Sequence, residues 1–146
     1  MKQGFTLIEL LVVVAILGII AYFAIGYFGS YETKTSLDSI AAEISSYLQQ
    51  ARSKSMAQEK GEAWGVEFTR SGNDDFYQIY STGGDTELKI YLPSTIRFVD
   101  STVGKKIQFA KLYGTISAQT TIGIYSQKTA NSKTITVNKE GRIYID

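Results

Sequence analysis

The sequence predicts an α+β fold, one long helix packed against antiparallel β-sheet, and three observations predict it. Residues Leu10 to Phe28 form a run of nineteen without a charge. Apolar residues then recur at spacings of three and four from Leu37 to Ala51. After Gly61 the apolar period changes to two and holds as far as Ile145. The first spacing marks one face of a helix, and the second marks half-buried strands.

The uncharged run comes first. At about 1.5 Å per residue it nearly spans a hydrocarbon core roughly 30 Å thick. Leu, Ile, Val, Ala and Phe dominate it, so hydropathy reads one transmembrane helix. Lys2 lies before it, which places the N-terminus in the cytoplasm and the remainder outside. Tyr22, Phe23, Tyr27 and Phe28 gather at its far end, as at a membrane interface. Gly18 and Gly26 each weaken helix by about 1 kcal/mol relative to Ala. They serve either to loosen the segment or to let helices pack closely.

Glu9 is the anomaly. A carboxylate at the centre of a membrane helix costs about 2.5–3.5 kcal/mol on insertion scales, and less near the end where Glu9 lies. An ordinary secretory signal has an apolar core of about 7–15 residues followed by a small-residue cleavage site. Here the apolar run is longer, and no A-x-A pattern follows. A plain single-pass anchor explains the length and leaves Glu9 unexplained.

Gly4-Phe5-Thr6-Leu7-Ile8-Glu9-Leu10 resembles the N-terminal signature of type IV prepilins and type II secretion pseudopilins, with its class III signal peptide. The resemblance implies a leader, residues 1–4, that a membrane-embedded prepilin peptidase removes by cutting between Gly4 and Phe5. It implies N-methylation of Phe5 by the same enzyme class. Residues 5–29 would be the transmembrane and polymerisation helix. Glu9 would meet the amino group of Phe5 on a neighbouring subunit. A buried charge without its partner is strongly disfavoured, so Glu9 would set register more than add stability. The implied partners are homologous subunits, the peptidase, the cytoplasmic membrane and its assembly platform. The implied location is a single-pass inner-membrane precursor with an exported head, and then a filament. Many pilins carry Pro where this chain has Gly26.

The helix is expected to continue past the membrane. Leu37, Ile40, Ala41, Ile44, Tyr47, Leu48 and Ala51 form one stripe, while Lys34, Asp38, Glu43, Gln50 and Arg52 fill other faces. Gly61 is the first strong stop. A helix from about Phe5 to about Gln58 would be roughly 80 Å long. Beyond it, alternation around Val66, Phe76–Ser81, Ile90, Arg97, Gln108, Gly123, Thr136 and Tyr144 predicts about eight strands. Ser71-Gly72-Asn73-Asp74 and Gly83-Gly84-Asp85 read as turns, and Asn138-Lys139-Glu140-Gly141 as the loop of a last hairpin. Pro93 falls between strands, where it breaks no ladder. Residues 30–146 thus form one globular head, an amphipathic helix at 30–58 and a β-rich region at 62–146, large enough for a single core. The layout, with Gly141-Arg142-Ile143 near the end, is similar to pilin folds with a GspH/FimT-type head.

Composition limits the chemistry. There is no Cys and no His, so disulfides, zinc, haem and iron–sulfur sites are not expected. No G-x-S-x-G, phosphate loop or dinucleotide glycine pattern appears. The expectation is a structural subunit, not an enzyme, with no cofactor. Beyond Gly29 stand fourteen Lys or Arg against thirteen Asp or Glu, too even a balance to draw nucleic acid strongly.

Two ligand readings stay open beside the structural one. Asn73, Asp74, Asp75, Asp85 and Glu87 are hard oxygen ligands that calcium takes, or else solvated turn residues. Lys105, Lys106 and Arg142, with Lys111, Lys128, Lys133 and Lys139 and the rings of Tyr113, Tyr125 and Tyr144, are candidate nucleic-acid contacts. DNA-binding minor pilins of the FimT kind carry G-R-x-R; here Tyr144 stands where the second Arg belongs. The alternatives to a filament subunit of general type are therefore a minor tip pseudopilin of type II secretion and a DNA-binding minor pilin.

Overall fold

The computed structural model describes residues 7–87, 89–129 and 131–146, with the backbone alone for 23–34. One helix, α1, runs from Leu7 to Met56 without a break. Its second half buries the expected stripe: Leu37, Ile40, Ala41, Ile44, Leu48 and Ala51 all lie in the core, with Tyr47 packed at its margin. Each Leu or Ile so buried contributes about 1.5–3 kcal/mol.

The helix ends two residues before the expected Gln58. Gln58 (φ 51) and Lys60 (φ 55) both take left-handed backbone, ahead of Gly61. Contacts to Trp64 hold this reversal. Ser55 Oγ accepts from the Trp64 amide at 2.6 Å, and the Trp64 indole donates to the Glu59 carbonyl at 3.0 Å. The turn is stopped by what it packs on as well as by glycine.

Eight strands follow among the described residues: β1 (Trp64–Ser71), β2 (Asp74–Ser81), β3 (Ile90–Tyr91), β4 (Ile96–Phe98), β5 (Lys106–Gln108), β6 (Thr120–Ser126), β7 (Ser132–Val137) and β8 (Ile143–Ile145). All pair antiparallel, and the anticipated turns join β1 to β2 and β7 to β8. They form two four-stranded sheets, ordered β3-β2-β1-β5 and β4-β6-β7-β8. The chain crosses between the sheets at β3–β4, β4–β5 and β5–β6. Alternation reports one buried face per strand, and it carries no information on which strand is the neighbour.

Helix α1 packs on β1 of the first sheet and on β6, β7 and β8 of the second. The core lies where the three layers meet. Phe68 of β1 stacks edge-on against Phe98 of β4, with ring centroids 5.5 Å apart, and so joins the two sheets.

Candidate functional site

From Leu7 to Tyr22 the described side chains of α1 are exposed to solvent. Leu7, Ile8, Leu10, Leu11 and the apolar residues through Ile20 are exposed, Leu7 by 81% and Ile20 by 59%. Glu9 sits in the first turn, exposed among them. An acid there is favoured by the helix dipole by about 0.3–1 kcal/mol. From Leu10 to Tyr22 the helix is apolar all round, which marks a helix destined for burial. A bare surface of this kind marks an interaction site. Gly18 has open space where a Cβ would stand, with nothing within 4 Å. Gly4 and Phe5 lie outside the described residues. Among the described residues no helix is long and apolar enough to cross a membrane. Side chains of the expected span are described only as far as Tyr22.

Residues 1–24 match the family model of the prokaryotic N-terminal methylation motif. The motif supports the type IV pilin and pseudopilin class and points to a structural subunit. It implies processing by prepilin peptidase and assembly with other pilin subunits. No curated protein and no solved structure matches the chain.

The candidate nucleic-acid cations come from different elements of the fold. Lys105 and Lys106 lie at β5 in the first sheet, and Arg142 lies in the β7–β8 turn of the second. Lys105 Nζ donates to the Thr121 carbonyl at 2.6 Å. Lys106 pairs with Glu67 at 3.0 Å and lies over the Tyr80 ring. Lys133 is committed to Asp38 at 2.6 Å. Arg142 is exposed, its amide bonded to Asn138 Oδ1 at 2.7 Å.

The candidate calcium ligands are dispersed too. Asp85 pairs with Lys60. Glu87 pairs with Lys54, which also holds Glu59 at 3.2 Å and lies 4.5 Å from the Trp64 ring centroid. The hydrogen bond to Glu87 raises the Lys54 pKa, against the opposing effect of burial. No group of acids among the described residues is arranged to hold a metal ion.

Asp75 is the finding the sequence reading missed. It is neither a calcium ligand nor a solvated turn residue: its side chain is fully buried. Arg70 grips it through Nε at 2.6 Å and Nη2 at 3.1 Å. The Phe98 amide donates to it at 2.7 Å, and Arg97 approaches to 3.5 Å. Arg70 reaches on to the Phe98 carbonyl and to Asp100. Burial alone would push the Asp75 carboxyl up, but Arg70, the Phe98 amide and Arg97 together bring it below the ordinary aspartate value. Since β1 and β2 belong to one sheet and β4 to the other, this cluster locks the sheets together. The legible signal was an acid, Asp75, two places past a Gly-Asn turn and directly opposite Arg70 on the paired strand.

A second unforeseen feature sits at the far end of α1. Arg52 donates through Nε to the Gly114 carbonyl at 3.1 Å and through Nη2 to the Glu140 carbonyl at 3.2 Å. Gly141 has φ 74, and a Cβ on it would stand 2.0 Å from the Gly114 carbonyl oxygen. The Gly141 that the sequence reading placed beside a nucleic-acid contact is thus required by close backbone packing.

Proposed function

We propose that the chain is a structural subunit of a type IV pilus or pseudopilus-like filament. Its precursor is held in the cytoplasmic membrane by residues 5–29, cut between Gly4 and Phe5, and N-methylated on Phe5. Glu9 then pairs with the amino group of Phe5 on the next subunit, and the head at 30–146 faces outward. The observation that carries this reading is the methylation motif at residues 1–24. The exposed apolar face from Leu7 to Tyr22 supports it, because that surface needs partners of its own kind to leave water.

Mass spectrometry of the native N-terminus is the test. The expected result is a chain that starts at a methylated Phe5; an intact Met1 would refute it. Glu9→Ala supplies the companion measurement. It is expected to fall out of filaments, and incorporation equal to wild type would remove the register role.

Two finer placements differ from this one in their partners. A minor tip subunit of type II secretion would be rare in its filament. A DNA-uptake subunit would shift double-stranded DNA in a salt-sensitive way. The engagement of Lys105 and Lys106 within the head favours the structural role over DNA capture.

A further inference from the structure

A groove of about 580 Å³ runs between the last turns of α1 and the final hairpin. It is lined by Gln49, Arg52, Ser53 and Met56 of the helix and by Gly141 and Ile143, with no acidic side chain. Arg52 is its charged group. Both of its described hydrogen bonds go to backbone carbonyls, and among the described residues it has no ion pair. Glu140 lends only its carbonyl. A cation braced by neutral acceptors keeps its charge uncompensated at the groove.

The rim is apolar. Met56 is 43% exposed, Leu112 55% and Tyr113 74%. Leu112 takes a left-handed φ of 66 inside a three-residue turn closed by the Tyr113 amide on the Lys111 carbonyl at 2.7 Å. Its own amide is tied to the Ser55 carbonyl at 3.2 Å, so the turn is fastened to the end of α1. A bulky residue rarely holds this backbone, and such turns recur at contact sites. Here the turn presents two large apolar side chains to solvent beside an unpaired cation.

The complement lies at the other end of the same head. The β1–β2 hairpin tip exposes Asp74, which forms no ion pair among the described residues. Two residues along β2, Phe76 packs on Tyr91, which is 57% exposed, with ring centroids 5.4 Å apart, and Lys89 lies over the Phe76 ring. An acid near an aromatic pair and a cation with an apolar rim thus stand at opposite ends of the β1–β2 hairpin. Within one molecule they cannot meet. The Ser55–Trp64 hydrogen bonds fix the groove at the start of β1. Asp74 lies at the other end of that hairpin, about 23 Å away at 3.3 Å per residue.

We propose that the groove at Arg52 receives the Asp74 hairpin tip of a second copy of this chain. Two different patches meet, so the contact runs head to tail, and a contact of that kind repeats into an open helical array. It adds a bond between neighbouring globular domains to the packing of the N-terminal helices, and it rests on the filament reading above.

The chain has no Cys, so cross-linking tests the contact cleanly. Ser53→Cys and Asn73→Cys, the second at the same exposed hairpin tip and sparing Asp74, are introduced together into the full-length protein in its native host. A disulfide needs Cα atoms about 4.4–6.8 Å apart, which excludes a bond within one copy. The expected result on mild oxidation is a ladder of covalent dimers, trimers and higher species, absent from either single variant. Normal filaments that yield only monomer would overturn the contact and leave the filament reading intact. A wild-type chain that never enters filaments would overturn both. If the double Cys variant does not assemble, charge variants decide. Ser53→Glu is expected to deplete filaments several-fold, and adding Asp74→Lys to restore them. Both positions are exposed, so neither change touches the core. Depletion without restoration refutes the pairing.

Discussion

Asp75 carries more of the head's architecture than any other charged residue described. Removing one member of a buried pair leaves the other uncompensated, at a cost of about 3–5 kcal/mol. Asp75→Ala takes from Arg70 its buried partner, leaving it Asp100 and the Phe98 carbonyl, and it also orphans the Phe98 amide that joins β4 to the first sheet. A urea titration is expected to show a loss of about that size with an unchanged slope. The acid dependence has a fixed sign. The folded carboxyl ionises below the ordinary aspartate value, so the unfolded chain takes up the proton first. The stability due to Asp75 is complete above the unfolded value of about 3.9 and drains away as pH falls through it toward the folded value. Asp75→Asn is expected to start less stable and to lose less on acidification. A variant as acid-sensitive as wild type would assign that sensitivity to another carboxylate. Glycines separate in the same manner. Gly141→Ala would force a Cβ onto the Gly114 carbonyl at a left-handed φ, and a drop of more than about 1 kcal/mol is expected in thermal melting. Gly18→Ala meets open space, and the helical content by circular dichroism is expected to hold or rise.

Single elements were the most legible level. The stripe from Leu37 to Ala51 is buried as its spacing required, because only one face of a helix can meet a core. The strands stand where the period of two put them, since alternation is a direct record of which side faces water. The end of α1 was less legible: Gln58 and Lys60 adopt left-handed backbone because Trp64 and Ser55 draw the chain back, a cause distant from the residues that bend. Arg52 was read as one polar residue on a helix face, yet it braces two carbonyls sixty or more positions away. Pairings of that range leave no local pattern. The same limit hid the crossing of β4 and β5 between sheets. Ile44→Ala tests the stripe itself. It removes a fully buried core side chain, and a loss of about 2–5 kcal/mol is expected by chemical denaturation.

At the scale of the whole molecule, α1 is the one element that touches both sheets and also projects from them. Its exposed apolar half and its buried half are a single unbroken rod. This continuity has a mechanical consequence. Tension that enters through the projecting end runs parallel to the row from Leu37 to Ala51, so those side chains are loaded in shear and must slip together. They cannot be peeled away one after another. The Ser55–Trp64 hydrogen bonds lie at the far terminus of the row, where they act as a latch against sliding. A head mounted on its rod in this way resists being drawn off along the axis far better than being levered off sideways.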